Sequence, residues 1–348
     1  MSTYLVHLGQ IEPLMVMWAE RYKVHIPVEV ERSIYDFVPW RKGEEIAWEY
    51  DITYNSPKRF FLPPRETLIT FDVDNCQAEA VYSHVPQLIF GVHPYDLKAI
   101  NQIDKLMGGT IPDRHYGARR AATVIFSMEP CRVAKNAFWP SVDAHKVDSG
   151  FDLHWTRISP AAFCVQVGTE LGEQLLLACG PLAKATAAER EAARRAQQRV
   201  LTEASREGLN FPWQETAKIL HRAWDSPLWQ HRARHCFSCG TCNLVCPTCF
   251  CFDMKEDLDN TLKKGERYRS WDGCMMDAFS RVAGDHNFRP HTLERYRHRY
   301  YRKGKYIYDM IGELGCVGCG RCVGGCTSGI ADPKSVFNSL WEAEKHDA

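Results

Sequence analysis

Two cysteine ladders of identical spacing constrain this chain more than any other feature. Residues 235–251 read HCFSCGTCNLVCPTCFC, which places Cys236, Cys239, Cys242 and Cys246 at C-x2-C-x2-C-x3-C, with Pro247 next. The stretch GCVGCGRCVGGC repeats that spacing at Cys316, Cys319, Cys322 and Cys326. Three thiolates two residues apart wrap three corners of a cubane 4Fe–4S cluster, and the fourth ligates the other cluster of a two-cluster ferredoxin fold. The spacing therefore predicts one cluster on Cys236, Cys239, Cys242 and Cys326. A second is predicted on Cys316, Cys319, Cys322 and Cys246. Zinc sites use pairs of C-x2-C without a third cysteine at the same step, so two matching triplets argue for iron and sulfide. Gly240, Gly315, Gly318, Gly320, Gly324 and Gly325 suit backbone at positive φ, folded closely around a cluster with N–H groups towards the sulfurs.

The 348 residues leave room for two or three domains with a proper core. Basic and acidic residues number 43 each, so the total charge gives no pull towards nucleic acid or a membrane surface. The opening residues lack the basic and apolar regions of a signal peptide, and no stretch is apolar for long enough to span a bilayer. Fifteen cysteines without an export signal predict cytoplasmic metal binding rather than disulfides.

Only four of those cysteines precede residue 220, and this half reads as mixed α/β. Strands are predicted at 87–91, 122–127 and 162–167, and apolar residues at helical spacing predict a helix over 96–107. Cys76, Cys131, Cys164 and Cys179 share no ligand spacing and are expected to pack as small apolar residues. Thr186 with Glu189 forms a capping box for a helix running from 187 to 207 and ending at Gly208. A further helix is expected from Pro212 to Trp224 and a closing one over 336–344. The predicted fold class is α+β. A mixed α/β domain over 1–210 precedes a helical domain over 211–348, which contains a split, ferredoxin-like dicluster module.

The ladders are 316 − 246 = 70 residues apart. The insert, 252–312, is therefore expected to form its own structure beside the clusters. Cys249, Cys251 and Cys274 lie close to the ladders and could supply a third iron–sulfur centre, with Asp272, His286 or Cys131 as the fourth ligand; packing thiols are the alternative. Arg295, Arg297, Arg299, Arg302, Lys303 and Lys305 alternate with tyrosines in a basic tract. With neutral total charge and no recognition motif, that tract is read as docking a partner or neutralising the clusters, not as binding nucleic acid.

These motifs resemble the iron–sulfur β subunits of sulfhydrogenase-type cytosolic nickel–iron hydrogenases and the corresponding iron–sulfur subunits of anaerobic sulfite reductases. The likeness rests on residues 236–253 (CFSCGTCNLVCPTCFCFD), Trp271-Asp272-Gly273-Cys274, His286-Asn287 with Arg289, and the second ladder. Phe61-Leu62-Pro63-Pro64-Arg65-Glu66, residues 90–97 (FGVHPYDL) and Gly150-Phe151-Asp152-Leu153 add to it in the first half. The resemblance implies an electron-transfer subunit between a flavoprotein subunit, which binds FAD and NAD(P)H, and a catalytic redox subunit. It also implies cysteines where this chain has Tyr95 and Trp139, and a proline where it has Thr327. The rival readings are a redox enzyme with its own open third centre at Cys249, Cys251 and Cys274, and a zinc-stabilised interaction protein.

Overall fold

The computed structural model describes residues 2–347. The chain begins with β1 (Thr3–His7), α1 (Ile11–Ala19), β2 (Lys23–Glu31), β3 (Ile34–Pro39), β4 (Arg65–Asp72) and β5 (Gln77–Ala80). It continues through β6 (Gln87–Val92), α2 (Pro94–Met107), α3 (Arg114–Ala121), β7 (Thr123–Met128), β8 (Leu153–Ser159) and β9 (Ala162–Val167). Helices α4 (Glu170–Leu176), α5 (Ala187–Ala204), α6 (Thr216–Arg222), α7 (Leu228–Ala233) and α8 (Thr241–Leu244) follow. A hairpin of β10 (Phe252–Leu258) and β11 (Lys264–Trp271) precedes α9 (Thr292–Tyr301), α10 (Ile307–Ile311), α11 (Arg321–Gly324) and α12 (Pro333–Asp347).

Seven strands form one sheet in the order β1-β9-β8-β7-β6-β2-β3. β2, β6, β7 and β8 are parallel neighbours, and the other pairings are antiparallel. Every residue of β7 (TVIFSM) is buried, as expected of a strand covered on both faces. Alternate side chains then serve two cores. Val124, Phe126 and Met128 join Trp18, Phe90 and Trp155 on one face. Ile125 joins Ile89, Leu97, Ile100 and Ile103 on the other. The apolar spacing of α2 is thus its buried face, and Pro94 starts that helix two residues before the predicted onset because its fixed φ suits the first turn.

Several expectations need correction. The insert does not form a structure of its own, nor is its half purely helical. β10 and β11 extend β4 and β5 into one antiparallel sheet, β10-β11-β4-β5. A buried ion pair fastens the join: Arg269 Nη2 lies 2.6 Å from Glu66 Oε2, and Glu66 also meets Arg119. The capping box of α5 is present, with Glu189 Oε2 accepting from Thr186 N at 2.7 Å. The helix stops at Ala204 rather than at 207. Gly208 is required for a different reason: a Cβ there would sit 2.0 Å from Ser141 Oγ. The helix expected over 212–224 is a 3-10 turn, Trp213–Glu215, leading into the short α6. Of the four isolated cysteines only Cys164 is buried in a core; Cys131 is half-buried, and Cys76 and Cys179 are exposed.

Candidate metal centres

Both ladders fold in the same way, a left-handed turn followed by one helical turn. Ser238 (φ 52°) and Gly240 (φ 76°) lead into α8, and Gly318 (φ 64°) and Gly320 (φ 85°) lead into α11. The offset is constant, since 318 − 238 and 320 − 240 both equal 80. The second ladder needs glycine at 318 because a Cβ there would lie 2.7 Å from the backbone nitrogen of Trp139. Position 238 is roomier, and the Ser238 hydroxyl lies 3.1 Å from Thr292 Oγ1. The two short helices α8 and α11 pack against each other.

That packing crosses the ladders. Cys236, Cys239, Cys242 and Cys326 line one void together with Met275, Tyr296 and Arg299. Cys316, Cys319, Cys322 and Cys246 line a second, with Phe138, Pro247, Arg299 and Lys303. The fourth cysteine of each ladder therefore stands in the void of the other. The first void reaches the surface at Cys239, beside the exposed ring of Phe237. Around the second, Cys246, Cys319 and Cys322 are buried and Cys316 is half-buried.

Burial pushes the Cys319 thiol up to about 12 and raises Cys316 and Cys322 as well. A thiolate in such a place needs nearby positive charge, which bound iron and flanking cations supply. The cations are present. Arg299 is only 1% exposed; its Nη2 donates to the Cys242 carbonyl at 3.3 Å. Its Nε and Nη1 are buried without a protein partner. Lys303 Nζ lies 2.6 Å from Thr248 Oγ1, whose hydroxyl donates to the Gly315 carbonyl at 2.8 Å. Arg321, between Cys319 and Cys322, meets both carboxylate oxygens of Asp96 at 2.5 and 2.6 Å and the Thr53 carbonyl at 2.8 Å. Four thiols per void, enclosed backbone and orphaned guanidinium donors together fit an anionic thiolate-held cluster.

The basic tract thus divides. Arg295, Arg299 and Lys303 point inward, four residues apart along α9 and the π-helical turn Arg302–Tyr306. Arg297 instead lies over the Trp224 ring at 3.8 Å, and Lys305 pairs with Asp309. Helical spacing within the tract carried this signal, and the sequence reading passed over it. It also missed Asp96, Lys58 and Asn243.

Asn243 Nδ2 lies 3.4 Å from Cys274 Sγ and 3.6 Å from Cys249 Sγ, so those two thiols are neighbours. Cys251 is close by, and the buried ammonium of Lys58 lies 4.1 Å over the Trp271 ring in the same region. Asp272 accepts from Gly273 N at 2.6 Å, and burial raises its carboxyl. Cys131 is placed elsewhere, beside Arg157 and Glu49, and His286 is exposed against Phe288. Among the described residues no three His, Cys, Asp or Glu side chains are arranged around a single ion. Tyr95 and Trp139, far apart in sequence, stack with ring centroids 6.3 Å apart and join the core that contains Val317 and Cys319.

Comparison with known proteins agrees with this geometry. The 4Fe–4S dicluster domain family matches residues 235–330. The chain is 31% identical over 314 residues to sulfhydrogenase 2 subunit beta of Pyrococcus furiosus, covering 90% of each chain. Among the described residues no helix is long and apolar enough to cross a membrane. With both ladders inside the matched domain and the likeness running almost end to end, the chain belongs to the sulfhydrogenase β-subunit family.

Proposed function

We propose that this chain is the electron-relay subunit of a cytoplasmic oxidoreductase complex. Cys236, Cys239, Cys242 and Cys326 would hold one 4Fe–4S cluster, and Cys316, Cys319, Cys322 and Cys246 the other. Each cluster, when bound, accepts and passes on a single electron. One observation carries the reading: the fourth cysteine of each ladder stands in the other's void, and Arg299 borders both. The protein's part is to hold the two centres close, limit their contact with water and neutralise their charge. Phe138, Pro247 and the Tyr95–Trp139 stack supply the apolar wall on the side of the second void. Cys239 is the one exposed cysteine of the eight in the ladders, so electrons would enter or leave on its side.

The likeness to a sulfhydrogenase β subunit supports partner subunits in a complex; those proposed are a flavoprotein subunit binding FAD and NAD(P)H, and a catalytic redox subunit. Fifteen cysteines, with no disulfide among the described residues, suit a reducing compartment. The test is to isolate the complex anaerobically and add NAD(P)H. The EPR signal of reduced clusters is expected to appear with the reduced flavin. Clusters that stay oxidised beside a fully reduced flavin would overturn the relay. The proximity of Cys249, Cys251 and Cys274 favours a second reading, a third iron–sulfur cluster with its own substrate. Twelve irons per chain instead of eight would support that reading.

A further inference from the structure

Arg299 occupies an unusual position. Its side chain is buried and borders both cysteine voids. The thiols of Cys242, Cys322 and Cys246, drawn from both ladders, are its electrostatic neighbours. It makes one hydrogen bond, from Nη2 to the Cys242 carbonyl, while Nε and Nη1 have no protein acceptor. Burying a guanidinium with two unsatisfied donors is strongly unfavourable unless something anionic accepts from them. Among the described residues no carboxylate fills that role: buried pairs such as Arg269–Glu66 and Arg321–Asp96 have no counterpart at Arg299. Besides the Tyr300 ring, 5.3 Å from its guanidinium carbon, and the Lys303 ammonium, the groups around Arg299 are thiols of both ladders.

Lys303 contrasts with it. It is also buried, but it borders only the second void, where Thr248 holds its ammonium and the Lys303 carbonyl accepts from Gly315 N at 2.7 Å. The π-helical turn Arg302–Tyr306 keeps it facing inward one turn after Arg299. A π turn of this kind is most often found where a side chain has a functional placement.

We propose that Arg299 is a shared positive charge that raises the reduction potentials of both clusters together, while Lys303 acts on the Cys246, Cys316, Cys319 and Cys322 cluster alone. The physical cause is that each cluster gains one negative charge on reduction. A fixed cation a few ångströms away in a medium of low dielectric favours that reduced form. Because one guanidinium serves both centres, it shifts their potentials in parallel and preserves the small step between them that a two-centre relay needs. Arg299 and Lys303 are positioning residues: they hold charge and take no part in the electron's path. The inference rests on the two-cluster reading given above.

Potentiometric EPR titration of the anaerobically purified full chain tests it, with iron analysed on every sample. In Arg299→Met, the oxidised-to-reduced ratio of both clusters at fixed poise is expected to rise at least about tenfold, which is 59 mV for a one-electron couple. Arg299→Lys, which keeps the charge, is expected to restore most of it. Lys303→Met is expected to shift one cluster and leave the other in place. Eight irons with unmoved potentials in Arg299→Met would overturn the proposal, and so would a shift confined to one cluster. If Arg299→Met loses iron, Arg299→Lys decides. Eight irons with near-native potentials in that variant supports the charge role, and iron loss there as well assigns Arg299 to packing instead. A wild-type chain without iron would refute the two-cluster reading itself, which separates the two failures.

Discussion

The ion pair between Asp96 and Arg321 ties the first half of the chain to the second ladder, and breaking it gives the sharpest perturbation. The two side chains are 0% and 2% exposed, and their paired hydrogen bonds measure 2.5 and 2.6 Å. Thr53 accepts two more from the same guanidinium, at 2.8 and 3.0 Å. Asp96→Ala leaves a buried charge with half its acceptors, and removing one member of a buried pair costs about 3–5 kcal/mol. Arg321 starts α11, the helical turn that carries Cys322, so that loss falls on the void Cys322 lines. If this contact must open before the cluster escapes, the barrier drops by the same amount, and cluster loss in fixed denaturant accelerates about 10²- to 10⁴-fold at 1.36 kcal/mol per decade. Bleaching of the iron–sulfur absorbance under argon measures the rate. Biphasic loss is expected, with the fast phase carrying half the iron. Asp96→Asn, which keeps the shape and one acceptor, is expected to fall between wild type and Asp96→Ala. An Asp96→Ala rate within tenfold of wild type would refute the reasoning.

Further outcomes follow from other sites. Burial lowers His25 and His298 to about 4, below the ~6.5 of an unfolded histidine. Between those values the unfolded chain binds more protons, so stability falls as pH falls, by roughly 3 kcal/mol for each histidine at pH 4. His25→Leu is expected to remove about 3 kcal/mol from the fall in unfolding free energy between neutral pH and pH 4, read by denaturant titration of tryptophan fluorescence; an unchanged pH dependence would contradict it. Gly318→Ala forces a Cβ against the Trp139 backbone at φ 64°, whereas Gly324 has open space around it. The first variant is expected to purify with about four irons instead of eight and Gly324→Ala with the full eight, by the ligand count of two cubanes; equal iron in both would refute the steric reading. Cys274→Ser is expected to keep about eight irons, since Asn243 already occupies the space between its thiol and that of Cys249. About twelve irons in the wild type falling to about eight in Cys274→Ser would revive the third centre.

What the sequence made legible was periodic or spaced. The runs around Phe90, Phe126 and Val165 read as strands because both faces are covered, and α2 showed its buried face at helical intervals. The C-x2-C spacing announced the clusters because three ligands must meet one small object. What was missed depends on contacts across long separations. The pairing of β11 with β4 joins residues about 200 positions apart, for instance Arg269 with Glu66, and leaves no local trace. Asp96 looked like an ordinary first-turn acid until folding placed Arg321 on it. The basic tract was expected to dock a partner or neutralise the clusters, but which of its cations face inward depends on helical phase and on what packs against each face. Residues 295, 299 and 303 differ from 297 and 305 only in direction. Gly208 looked like a helix terminator for want of any view of Ser141.

The most direct test of the two-cluster centre is the iron and acid-labile sulfide content of anaerobically purified protein, with EPR after dithionite reduction. About eight irons and eight sulfides per chain, with the spectrum of two interacting reduced clusters, is the expected result. Protein that carries zinc instead of iron, or only four irons, would contradict the crossed arrangement of Cys246 and Cys326 on which the proposed relay depends.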